Sequence, residues 1–229
     1  MKKLLLFVLT FGTVILFGAS KYYLTVADVE PQLATFQFSH EYGFADEGGF
    51  VEYTQIGVPD YDTFFKTAAK LDGLVILTNA MTQTTTAELK KYAISKAADE
   101  TLAQSIKEIV GDTLPEQYTV EQSIAIMKLA KQSGKVKDDE VAYFTTTAIS
   151  LGIGVYSLGK GVSEVINLLS QGSELLKNVK SSVKMMLVPA ATKGLKGSID
   201  NLQGVQKNAP RTLEEMKVLL EAFKALGNM

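Results

Sequence analysis

The sequence predicts a mainly α-helical fold, an elongated up-and-down bundle of four to six helices with a small N-terminal β-hairpin-like segment. Three observations carry that expectation. From Pro59 onward, apolar residues recur at steps of three and four, the helical period. One run keeps this spacing for six heptads: Phe144, Ala148, Leu151, Val155, Leu158, Val162, Val165, Leu169, Gly172, Leu176, Val179, Val183 and Met186. Residues 21–59, by contrast, are aromatic and glycine-rich, and their large side chains alternate with the period of a strand. A chain of 229 residues is long enough for one sizeable core. The division expected is therefore 1–20, 21–59 and 60–229.

The first of these units is a leader. Met1-Lys2-Lys3 is basic, Leu4 to Phe17 is an uncharged apolar run, and Gly18-Ala19-Ser20 supplies the small residues of a cleavage site before Lys21. The run is shorter than the ~20 residues that span a bilayer comfortably. A cleaved signal peptide is the expectation, with a retained anchor as the alternative. Either places the protein outside the cytoplasm, in the periplasm or the medium, with membrane association left open.

In the second unit, Phe36, Phe38, Tyr42 and Phe44 alternate as in a strand. Asp46-Glu47-Gly48-Gly49 reads as a turn, and Phe50 to Ile56 as the returning strand. A lone hairpin is marginal, so it must pack on the helices.

Asp60 is placed to cap the first helix, whose apolar side carries Phe64, Ala68, Leu71 and Val75. The threonine-rich Thr78 to Thr86 reads as a break. Thr85-x-x-Glu88 is a capping box for a helix through Leu89, Ala93, Ala97, Leu102, Ile106 and Ile109, which Gly111 and Pro115 end. Thr119-x-x-Gln122 opens another helix, closing near Gly134. Asp138-Asp139-Glu140 puts acid at the start of the long heptad helix, where it complements the helix dipole. That helix either runs unbroken to Pro189 or breaks at Ser170-Gln-Gly-Ser173. The last section passes through Leu195, Ile199 and Leu202, pauses at Pro210 and restarts with Thr212-x-x-Glu215.

Composition removes several chemistries. The chain has no cysteine and one histidine, so thiolate metal sites, cysteine nucleophiles and multi-histidine sites are excluded. A net charge of −2 argues against a nucleic-acid partner. The lone His40, beside Glu41, reads as a structural or surface residue rather than a metal ligand or general base; Asp60 and Asp62 read as capping carboxylates rather than an acid–base pair. No catalytic residue, metal ligand or cofactor is assigned.

Gly154 to Lys160 matches the first seven positions of a phosphate-binding loop, G-x-x-x-x-G-K-[ST], and Gly161 fails the eighth. The stretch also lies inside the heptad run, which a phosphate loop would interrupt. Gly152 and Gly159, and likewise Gly154 and Gly161, are spaced for one helical side each, so close helix packing is the expected reason for them. Val141 to Gly159 carries no charge over nineteen residues. The alternative reading is a conditional membrane-inserting segment, of the kind helical pore-forming proteins bury in their soluble form.

Charge is uneven along the chain. Residues 21–62 hold one lysine against eight acids, a balance of −7. Residues 160–211 hold eight basic residues against three acidic. Lys177, Lys180 and Lys184 follow one helical face, with Lys193 and Lys196 beyond Pro189. A solvated face, contact with anionic lipid headgroups, or contact with this chain's own acidic N-terminal segment each accounts for such a row. The function expected is that of an exported, non-enzymatic helical protein, a binding or structural component of the cell envelope. Its partner is an envelope protein or an anionic lipid surface, and helical self-association is open to it. A membrane-active protein using 141–159 comes second, and an exported hydrolase third.

Overall fold

The computed structural model describes residues 19–38 and 49–227, so the apolar leader, His40 and the turn at 46–48 lie outside the described residues. Among them are a two-stranded antiparallel sheet and six helices: β1 (Ser20–Leu24), α1 (Val26–Val29), β2 (Val51–Gln55), α2 (Pro59–Ala97), α3 (Ala103–Val110), α4 (Val120–Gln132), α5 (Asp138–Ser182) and α6 (Val188–Gly227). The architecture is the mainly α bundle with a small sheet that the sequence predicts.

Three helices make the body. At 1.5 Å per residue, α2, α5 and α6, of 39, 45 and 40 residues, are each about 60–70 Å long. α5 and α6 form an antiparallel hairpin, and α2 lies along both. The Tyr61 hydroxyl at the start of α2 donates to Leu175 O (3.1 Å) and pairs with Ser182 Oγ (2.6 Å) at the end of α5. At the far end Lys131 of α4 reaches Ala225 O, and Lys96 bonds Glu140. The seam of α5 is real: Phe144, Leu151, Leu158, Val165, Gly172 and Val179, seven apart, are all buried. Met186, counted into that seam, is not buried, because α5 has already ended.

Several boundaries differ from expectation. The threonines at 78–86 do not break α2. Thr78 Oγ1 donates to Leu74 O (2.7 Å) and Thr82 Oγ1 to Thr78 O (2.8 Å), so these buried hydroxyls are satisfied within the helix. Thr85-x-x-Glu88 is consequently mid-helix and caps nothing. The first helix starts at Pro59 with Val58 as its N-cap, and Asp60 lies inside its first turn. The stretch read as one helix to Ile109 is two, because Asp99 caps a short 3-10 turn by accepting Thr101 N (2.9 Å) and redirects the chain into α3. The capping box Thr119–Gln122 is present as read.

α5 runs unbroken through Ser170–Ser173 and stops at Ser182, seven residues before Pro189. That proline stands instead in the first turn of α6, where its missing N–H has no helical partner to lose. Pro210 is inside α6, and Thr212 is buried mid-helix rather than capping a new one. An interior proline costs about 3 kcal/mol. Burial of Leu202, Val205, Ala209, Met216 and Leu219 on both sides of it offsets that cost.

The sheet also pairs differently. β2 falls on the expected returning strand, but its partner is Ser20–Leu24, in register Tyr22↔Tyr53 and Leu24↔Val51. Phe36 to Phe38 is not a strand. Their rings pack edge-on to each other at 4.9 Å against the core. Between β1 and that point the chain forms a strap. Thr25 and Asp28 cap α1 reciprocally. Ser157 Oγ of α5 donates to Glu30 (2.5 Å), and Leu33 is fully buried. Thr35, Phe36 and Gln37 then lie beside Ala142, Tyr143 and Thr146. The strap therefore covers one side of the uncharged stretch of α5.

Candidate functional site

The turn joining α5 to α6 is built by an alternation of inward and outward apolar residues. Val183 and Leu187 are buried and tie the turn to the bundle, whereas Met185 and Met186 point out, 89% and 72% exposed. Lys184 sits between them, exposed, with Lys177 and Lys180 on the last turns of α5 and Lys193 and Lys196 on the first turns of α6. All five are exposed. Residues 175–199 contain these five lysines and no Asp or Glu. The fold thus gathers two groups of lysines, separate in sequence, at one end of the rod around an exposed apolar tip.

The sheet borders this end. A cleft of about 350 Å³ between β1, β2 and α6 is lined by Ala19, Lys21, Glu52, Ala190, Lys193 and Asn201, among others. Glu52 receives Lys21 Nζ (2.8 Å) and the Tyr23 hydroxyl (2.9 Å). Those bonds, with Lys193 adding its charge, hold the Glu52 carboxyl below the usual range. The same bond to Glu52 raises the Tyr23 phenol and the Lys21 ammonium. Asp62 accepts the backbone N–H groups of Ile56 (2.6 Å) and Gly57 (2.9 Å), bracing the corner between β2 and α2.

Of the described acids in the N-terminal segment, Glu52 approaches the lysine row, lining one cleft with Lys193. Glu52 pairs with Lys21, and Asp28 is held down first by its bonds to Thr25, with the nearest cations Lys66 and Lys70 on α2. Among the described residues, Lys177, Lys180, Lys193 and Lys196 form no ion pair.

The other features of the sequence resolve as follows. The phosphate-loop look-alike is plain α-helix, with Ser163 Oγ donating to Lys160 O (2.6 Å). Its backbone N–H groups are engaged in the helix ladder and form no anion cradle. The glycine pairs separate. A Cβ on Gly154 would meet Met216 and Met81, and one on Gly161 would meet Leu71 at 2.8 Å. Gly159 faces open space and Gly152 nearly so. Close packing therefore explains one pair only. In Val141–Gly159, Phe144, Thr147, Ala148, Leu151, Gly154 and Leu158 are buried between α2 and α6, while Ile149 and Tyr156 are exposed. Burial pushes the Tyr143 phenol up to about 12. No group of three or more metal-ligating side chains occurs among the described residues.

Sequence reasoning missed Met185 and Met186 as a surface feature, because Met186 continues the arithmetic of the heptad run. The usable signal was the proline at 189 with small residues behind it, which places a helix start there and a turn before it. No family model matches this chain, and neither curated proteins nor solved structures show significant similarity to it.

Proposed function

We propose that this chain is an exported helical protein of the cell envelope that acts by binding rather than by catalysis. The observation that carries the reading is the end of the rod: five exposed lysines surround two exposed methionines on an acid-free stretch of chain. Such a surface suits contact, since it has charge and apolar area but no paired acid and base to move protons. The leader sequence at 1–20 supplies the export half of the proposal.

Fractionation of cells expressing the full chain, with N-terminal sequencing, tests it. The protein is expected outside the cytoplasm, beginning near Lys21. A start at Met1 with carbonate-resistant membrane association would identify the leader as a retained anchor, and recovery from the cytoplasm would overturn the proposal. The membrane-active alternative requires α5 to leave a packing that buries Phe144, Leu151 and Leu158. Dye release from anionic vesicles would favour it, and none is expected.

A further inference from the structure

The apolar tip and the start of β1 lie at the same end of the molecule. Ala19, the first described residue, lines a cleft with Ala190 and Lys193, within the first two turns of α6 and so close to the Met185–Met186 turn. From Ser20 the chain runs away from this end: Leu24 and Val51 lie beside Gly73, two-fifths of the way along α2, and Thr35 to Gln37 reach Ala142 and Tyr143 near the start of α5.

We infer that the protein docks end-on on anionic lipid, with Met185 and Met186 seated among the headgroups and Lys177, Lys180, Lys184, Lys193 and Lys196 around them on lipid phosphates. The inference rests on the reading of the chain as an exported envelope protein and names its partner. Two features fit this occupant. A methionine pair projecting from the turn can enter the interface while the turn's backbone, where Val183 N donates to Val179 O and Leu187 N to Lys184 O, stays at the hydrated headgroup level. Lysines behind it reach headgroups with their stems on the apolar surface. Among the described acids nearby, Glu52 is bonded to Lys21 and Tyr23 and Asp62 to two backbone N–H groups, whereas the exposed Asp200 lines a surface hollow with Lys193 and Lys196. The far end of the rod, with α3 and α4, would stand about 60 Å from the membrane.

The absence of cysteine makes the test direct, since single-cysteine variants take one label. The full chain carrying Met186→Cys, or Ser133→Cys at the far end, is labelled with an environment-sensitive dye. Each is reconstituted into vesicles of phosphatidylcholine alone or with phosphatidylglycerol. The label at 186 should shift to the blue and become accessible to lipid-borne quenchers in the anionic vesicles, while the label at 133 stays aqueous in both. Each lysine at an anionic surface contributes about five-fold in partitioning, so Lys177→Gln, Lys180→Gln and Lys196→Gln together should lower seating on the order of 100-fold. High salt should weaken it likewise. A label at 186 that stays aqueous on anionic vesicles, in a chain whose circular dichroism is unchanged, overturns the inference. So does seating that is equal on neutral vesicles or indifferent to the three lysines. A cytoplasmic protein in fractionation would sink the export proposal without touching this vesicle result, so the two can fail separately.

Discussion

Gly172 should be the costliest of the α5 glycines to fill, and Gly159 the most rewarding. A Cβ on Gly172 would lie 2.6 Å from Cζ and 3.1 Å from Cε2 of Phe64, and 3.0 Å from Cγ1 of Ile199. Phe64 has nowhere to retreat: its ring is 1% exposed and meets Phe65 edge-on at 6.1 Å. Overpacking of this kind costs about 1–3 kcal/mol, against a gain of about 1 kcal/mol from replacing a helical glycine by alanine. Gly172→Ala should therefore lose up to about 2 kcal/mol. Gly159 has nothing within 4 Å of its Cβ position, so Gly159→Ala keeps the propensity gain of about 0.5–1 kcal/mol. At roughly 2–4 °C per kcal/mol for a chain of this size, the two melting temperatures should differ by up to about 12 °C, with Gly172→Ala the lower. Thermal melts by circular dichroism, with urea titrations to check that the slope is common, give the readout. If Gly172→Ala stabilises as much as Gly159→Ala, α2, α5 and α6 do not meet at Phe64 and the three-helix packing is wrong.

Two further predictions concern charges inside the bundle. Lys96 bonds both oxygens of Glu140 (2.8 and 2.7 Å) and Lys135 O (2.9 Å), and the pair is nearly buried, so Lys96→Met should cost about 3 kcal/mol in urea unfolding. Adding Glu140→Gln should return part of that, and a Lys96→Met variant as stable as wild type would refute the buried pairing. Asp72 faces Asn201 at 3.4 Å, and burial holds its carboxyl above the usual range. The folded state therefore favours the protonated form. That contribution is fully present below the ordinary carboxylate value near pH 4 and is lost as pH rises through the raised one. Asp72→Asn should accordingly raise the melting temperature at neutral pH and lose its advantage on acidification. A gain independent of pH would contradict the burial.

What could be read from the sequence was whatever a local period or cap determines. The seam of α5 and the box Thr119–Gln122 are of this kind, since each depends on residues within one or two turns. The errors at Thr78–Thr86 and Pro210 share one cause, which is that tertiary packing overrode a local stop signal. Thr78 and Thr82 look like a break until their hydroxyls are seen bonded one turn back and buried against α5 and α6. Pro210 looks like an end until the burial on both its sides is counted. The strand partner of β2 was missed because pairing across 26 intervening residues leaves no local trace, whereas Phe36 and Phe38 alternate convincingly. The lysine patch was half legible. Its residues were identified, but their convergence around two methionines depends on a turn placed by Val183 and Leu187 facing inward.

That distinction bears on which part of the chain meets a membrane. α5 is the one described helix long and apolar enough to cross a bilayer, with a mean hydropathy of 1.4 in its best window. Its inner side packs on α6 and α2 and is crossed by the strap, although only 33% of that window is buried. Over 141–159 only Ala142, Thr146, Ile149 and Tyr156 are exposed. Extraction of that stretch would open the holes now filled by Phe144, Leu151 and Leu158, each of which costs several kcal/mol to uncover. Met185 and Met186 are already in water, so transferring them to a lipid interface removes apolar surface from solvent and disrupts no packing. Total hydrophobicity points to α5; hydrophobicity that the fold leaves unburied, with lysines around it, points to the tip. Seating the tip on a bilayer would uncover none of the core.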